Sequence, residues 1–230
     1  MLENRAKGAR NDYDRLAKAE IEHYTKIFLG EGEPDQAQVG RGKLFQPVPP
    51  AWIEMEERAA RLIRQQTGSD VTEHALRRLQ RAPGTRMLSL GSGPGGIELA
   101  LAREAREAEI TCMDFNPALV QLGQEQALRD ELRVTFQMAD LNTVVLPEAS
   151  FDVVFCHASL HHTLELERLA EQIRSALRPD GELIVVDVIT RNGYLMWPET
   201  REIVDALWKT LPTRFRMNHT AYSTPQVDEE

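Results

Sequence analysis

Residues 87–104 read MLSLGSGPGGIELALARE: a short strand, a glycine-rich turn from Gly91 to Gly96, then apolar residues at helical spacing. Glycines without Cβ atoms let the backbone double back tightly and let a ligand lie against it. The helix that follows opens with unpaired N–H groups and a partial positive charge, which suits a phosphate or a carboxylate. Outward from this stretch the pattern repeats. ITCMD (110–114), VTFQM (134–138), FDVVFC (151–156) and ELIVVDV (182–188) read as strands, and 95–107, 117–130 and 164–177 as helices. Short apolar runs alternating with helices predict βαβ units, and hence an α/β, doubly wound, mostly parallel sheet covered on both faces. The link from Met138 to Phe151 is too short for a full helix.

The region before this is helical. Leu16, Ile21, Tyr24, Ile27 and Phe28 recur at helical spacing within 1–30, a Gly- and Pro-rich loop occupies 30–50, and helices are predicted at 52–66 and 71–81. Asp70 is placed to cap the last of these, with Glu73 as its reciprocal partner. The expected division is therefore a helical cap or lid over 1–81 and a ligand-binding domain over 82–230. Beyond Val188, residues 191–198 read as a loop and 199–211 as a helix, and no strand pair is visible after Leu211.

The 230 residues carry 27 Lys+Arg and 36 Asp+Glu, a net charge of −9. Residues 1–80 balance at 13 basic and 13 acidic, so the whole excess lies in 81–230. Phosphate backbones and anionic membranes reward clustered Lys and Arg; no such cluster is present, which argues against nucleic acid and against a membrane surface. The charged start MLENRAKGAR has no apolar signal segment, no apolar run reaches the roughly 18 residues of a span, and two cysteines do not make a disulfide framework. A cytoplasmic protein is expected.

Asp114 ends the second strand 21 residues after Gly93. There a carboxylate can accept hydrogen bonds from ribose hydroxyls, or simply cap the helix that begins near Pro117. Gly91, Gly93 and Gly96 fit the dinucleotide spacing G-x-G-x-x-G, which keeps NAD(P) open. Gly91, Gly93 and Gly95 equally fit G-x-G-x-G, the loop of class I S-adenosylmethionine-dependent methyltransferases. Asp140-Leu141 at the end of the third strand, FDVVFCHASLHH (151–162) and LRPDGELIVVD (177–187) also resemble that family, as does the helical lead before the loop. The resemblance covers about 85–190 and implies a Rossmann-like sheet with an N-terminal helical cap.

By that resemblance, Gly91, Ser92, Gly93 and Gly95 would pass beneath the methionine moiety of the cofactor. Asp114 would hold the ribose, Phe115 pack on the adenine, and Asp140 and Leu141 address the adenine edge. The His157 carbonyl would meet the methionine ammonium. One departure is visible: two residues before Gly91, where the family usually has Asp or Glu, stands Ser89. An anionic contribution near the cationic end of the cofactor is lost there unless another carboxylate substitutes.

His161 and His162 would emerge at the reactive end, where an imidazole can take a proton from a hydroxyl; His162 is the preferred of the two. Tyr13, His23, Tyr24, Phe45, Trp52, Tyr194 and Trp197 could line an acceptor pocket, Tyr24, Tyr194 and Trp197 foremost. No metal site is expected, since strand alternation sends Cys156 and His157 to opposite faces. Cys112 and Cys156 flank the first strand in the family's order 3-2-1-4-5, roughly 9–10 Å apart, so both should be buried free thiols. The function these features imply is methyl transfer from S-adenosylmethionine to a small-molecule acceptor, preferably at oxygen, leaving S-adenosylhomocysteine. An NAD(P)-dependent oxidoreductase and a non-catalytic cofactor-fold subunit are the rivals. The missing final strand pair would leave an edge open, which a homodimer could cover.

Overall fold

Five strands and seven helices are assigned in the computed structural model, which describes residues 2–29, 50–187 and 197–212. In chain order they are α1 (Leu2–Leu29), α2 (Pro50–Thr67), α3 (Val71–Leu79), β1 (Arg86–Leu90), α4 (Gly96–Glu104), β2 (Glu109–Asp114), α5 (Pro117–Arg129), β3 (Val134–Met138), β4 (Phe151–His157), α6 (Leu166–Ala176), β5 (Leu177–Val186) and α7 (Pro198–Thr210). A 3₁₀ turn at Leu160–His162 follows β4. The sheet order is β3-β2-β1-β4-β5, every pair parallel. This is the doubly wound α/β architecture, with its switch point between β1 and β4. Ligands bind at such a point, outside the carboxyl ends of the strands.

Alternation along the strands builds two cores. Met87, Ile110, Cys112, Phe136, Val153 and Phe155 face one side, against Ala75 and Leu79 of α3, Leu99 and Leu101 of α4 and Ala127 of α5. Leu88, Leu90, Met113, Val154 and Cys156 face the other, against Leu169, Ile173 and Ala176 of α6 and Leu146 of the β3–β4 link. Burial of a Leu or Phe side chain is worth about 1.5–3 kcal/mol, so these two layers dominate stability. Cys112 and Cys156 are both buried and free, on opposite faces; burial pushes the Cys156 thiol up to about 12.

Local signals place the helix starts. Asp70 accepts from the Glu73 amide at 2.8 Å and the Glu73 carboxylate accepts from the Asp70 amide at 3.0 Å, the expected capping box. Asn116 caps α5 ahead of Pro117. β5 begins at Leu177, five residues before the strand read from the sequence at 182. Phe151 pairs with Leu177 and Val153 with Glu182, so the Arg-Pro-Asp-Gly stretch bulges between two paired segments. Within the described residues the sheet ends at β5, where Leu183 and Val185 are about two-fifths exposed. The chain divides after Asp187 into two compact units. The helical lead shares the first of these units with the sheet. No helix among the described residues is long and apolar enough to cross a membrane.

Phe136 of β3 explains a glycine that the sequence left unremarked. A Cβ on Gly123 of α5 would lie 2.3 Å from its ring. Gly123→Ala gains about 1 kcal/mol of helix propensity but overpacks the core, which costs about 1–3 kcal/mol. Urea unfolding should show a net loss, and a Phe136→Leu background should shrink it; a Gly123→Ala protein more stable than the parent would contradict this packing.

Candidate active site

The glycine turn leaves β1 with Gly91, Gly93 and Gly95 all at positive φ. Their surroundings differ, although the sequence treated them alike. A Cβ on Gly91 would lie 2.4 Å from the Ser159 Cβ, and one on Gly95 would lie 2.3 Å from the Phe136 ring. Those two glycines permit close approach of the turn to the β4 exit and to β3. Gly93 alone has room: its nearest neighbours, Leu119 and Phe28, stand at 4.0 Å. The turn is also pinned to β2, since the Gly91 and Ser92 amides both donate to the Met113 carbonyl, at 2.8 and 3.2 Å.

Asp114, at the tip of β2, closes this arrangement. One carboxylate oxygen accepts from the Gly93 amide at 2.7 Å and the other from the Asn116 amide at 2.8 Å. Burial nevertheless pushes its acid up, because desolvation outweighs these amide bonds. Phe115, next in sequence, is half-buried. Asp140 lies at the corresponding tip of β3 and accepts from the Asn142 amide at 2.9 Å. Leu141 packs against the second core. His157 is exposed at the end of β4, its ring stacked near Phe155.

Past β4 the backbone reverses through Ala158, held at φ 50°. Ser159 turns inward, its hydroxyl donating to the Leu90 carbonyl at 2.7 Å. The 3₁₀ turn then presents His161 and His162, whose ring centroids lie 4.0 Å apart. His161 Nδ1 lies 2.5 Å from Asp187, just beyond β5, and both side chains are less than a tenth exposed. The other Asp187 oxygen accepts from the Ser159, Leu160 and His161 amides. His162 is engaged from the opposite side by α1: its Nε2 stands 3.1 Å from the Tyr24 hydroxyl and its Nδ1 3.1 Å from Glu20. Burial, with His161 beside it, lowers the His162 pKa. Burial also raises that of Glu20, and neighbouring Asp114 pushes the same way.

The helical lead is thus bonded to the turns after β2, β3 and β4. Asn142 donates to the Tyr13 hydroxyl at 3.1 Å. Asn116 donates to the Ile21 carbonyl at 3.1 Å and the Thr25 hydroxyl at 2.9 Å, while its side-chain oxygen caps α5. The sequence reading missed Glu20, Asn116, Asn142 and Asp187. Asn116 carried a signal, an Asn immediately before a helix-initiating Pro. Of the expected pocket residues, Tyr13 and Tyr24 join the site. Phe45, Tyr194 and the Trp52 side chain lie outside the described residues. Trp197 belongs to the second unit, at the start of α7, where it is half exposed. Among the described residues no group of three His, Cys, Asp or Glu side chains could hold a metal ion.

Residues 87–181 match the methyltransferase domain family. This segment is similar to class I S-adenosylmethionine-dependent methyltransferase domains. Its relatives include phosphoethanolamine N-methyltransferase 1 of Zea mays, 24% identical over 126 residues, covering 55% of this chain and 25% of that protein. The 27-O-demethylrifamycin SV methyltransferase of Amycolatopsis mediterranei is 32% identical over 108 residues, 46% and 39% of the two chains. A sterol 4-C-methyltransferase of Caenorhabditis elegans is 26% identical over 125 residues, 53% and 36%. The chain thus spans well under half the length of these relatives. The methyltransferase domain takes its glycine turn, Asp114 and the His161–His162 turn from within the matched segment, whereas Asp187 and α1 lie outside it.

The two functions of Asn116 can be separated. Asn116→Asp keeps the capping oxygen but loses the amide donor to α1, and Asn116→Ala loses both. Thermal melting should fall with Ala, by about 1 kcal/mol in stability for the lost cap, and with Asp, because a buried carboxylate oxygen would face the Ile21 carbonyl. Hydrogen exchange in residues 13–29 should rise in both; unchanged protection in the Asp variant would remove the tether from the account.

Proposed function

We propose that this chain transfers a methyl group from S-adenosylmethionine to a small-molecule acceptor, at oxygen. The observation that carries the cofactor reading is the junction of Gly93 and Asp114 at the carboxyl ends of β1 and β2. The fit is favourable there. Gly93 has open space where a side chain would stand, and the backbone amides around the Asp114 carboxylate do not fill its roughly four acceptor positions, leaving capacity for a ribose hydroxyl. Asp140 and Leu141 would address the adenine edge, and Phe115 would pack on the adenine.

When bound, the cofactor supplies an already activated electrophilic methyl group on a sulfonium. The protein is left to hold an acceptor in line, exclude water and receive a proton. Asp187 fixes His161 with the proton on Nδ1, which makes Nε2 the basic nitrogen. Such a pair suits removal of a hydroxyl proton as the new C–O bond forms, and this favours oxygen over an amine that can react as the free base. His161 is preferred here to His162 because its partner Asp187 also accepts from the backbone amides of the same turn and so fixes the ring. Tyr24 and Tyr13 on α1 would border the acceptor. The relatives' names span N-, C- and O-directed transfer, so the oxygen preference rests on the His161–Asp187 pair alone.

Calorimetry should detect binding of S-adenosylmethionine to the protein, and Asp114→Ala should weaken it at least tenfold; equal affinity in the variant would defeat the cofactor assignment. Once an acceptor screen that follows S-adenosylhomocysteine release finds a substrate, His161→Ala and Asp187→Asn should each slow turnover by about 10²–10⁴. Cofactor affinity should stay within a few-fold. Full turnover in both variants would exclude this pair as the base.

A further inference from the structure

Beneath the glycine turn lies a carboxylate that the steps above do not use. Glu98 sits in the first turn of α4 and is 3% exposed, and Ser89, 1% exposed, donates its hydroxyl to Glu98 Oε1 at 2.6 Å. Its neighbours on α4, Leu99, Leu101 and Ala102, are apolar core residues. Among the described residues no Lys, Arg or His is paired with Glu98. Burial pushes its acid up and Asp114 pushes the same way, opposed by the Ser89 hydroxyl and the Glu98 amide. A buried carboxylate without a cation is costly, and an apolar residue would pack there without that cost.

The electrostatics of the turn give it a purpose. A helix N-terminus with converging amides favours anions and opposes cations, yet the ligand proposed for this turn carries a sulfonium. A negative group in the first turn of α4 offsets that field from below. Ser89 occupies the strand position two before Gly91, where related turns carry the acid themselves. Here the acid stands on the helix instead, bonded to the hydroxyl on the strand. We propose that Glu98, seated by Ser89, is a positioning residue that makes the glycine turn accept the sulfonium in preference to the neutral thioether of the product. This rests on the cofactor assignment above.

The test compares S-adenosylmethionine with S-adenosylhomocysteine, which differ in that positive charge. Calorimetry on the full chain should show Glu98→Gln losing roughly tenfold more affinity for the methylated compound than for the demethylated one. The double variant Ser89→Asp with Glu98→Ser, which returns the acid to the strand, should recover most of the preference. Thermal melting of Glu98→Gln should be unchanged or higher, because an acid whose pKa is raised on folding lowers stability at neutral pH and the amide removes that effect. Equal weakening toward both compounds, or a double variant no better than the single, would overturn the proposal and leave Glu98 a packing residue. A parent protein that binds neither compound overturns the cofactor assignment itself, so the two failures are told apart.

Discussion

The 2.7 Å bond from the Gly93 amide to Asp114 organises the rest of the site. It joins the turn after β1 to the tip of β2, so the glycine backbone and the acid are positioned relative to each other before any ligand arrives. Asp114 is costly to hold there: burial works against its charge, and the amides of Gly93 and Asn116 recover only part of the loss. A carboxylate kept in that state retains acceptor capacity and gains from each further donor. Preorganisation of this kind is what lets a small sheet edge bind a polar ligand without first ordering itself.

The helical lead is arranged around the same strand tips. Tyr13, Ile21 with Thr25, and Glu20 with Tyr24 reach the turns after β3, β2 and β4 respectively. Positions 13, 20–21 and 24–25 fall one and two helical turns apart, so one face of α1 serves all three. The polar contacts need the helix to lie across the carboxyl end of the sheet, and they place Tyr24 and Glu20 beside His162 and Tyr13 at the turn after β3. Asn116 connects the two halves of this design, because the same amide group that starts α5 holds α1.

Much of the architecture was legible in the chain. β3 falls on VTFQM as read, the capping box at Asp70 and Glu73 is present, and the α/β alternation yields the expected parallel order, since each of these depends on residues a few positions apart. The site was legible only where strand meets turn: Gly93, Asp114 and the His161–His162 pair. Asp187 went unassigned because its partner is 26 residues away and the two meet only when β5 lies beside β4. Glu98 drew no reading from the sequence, because only the packing of α4 on β1 buries it. The Leu177–Gly181 segment has turn composition, yet pairing with β4 draws it into β5 as a bulge.

The sequence by itself determined the alternation of strands and helices, the glycine turn at its head and the acids at two strand tips, because periodicity, capping and turn chemistry are local. Only the tertiary structure decided which glycine faces open space, which carboxylate each histidine meets and which glutamate is buried. Those properties belong to pairs of residues far apart in the chain, and burial and hydrogen-bond geometry exist only once the sheet has brought such pairs together.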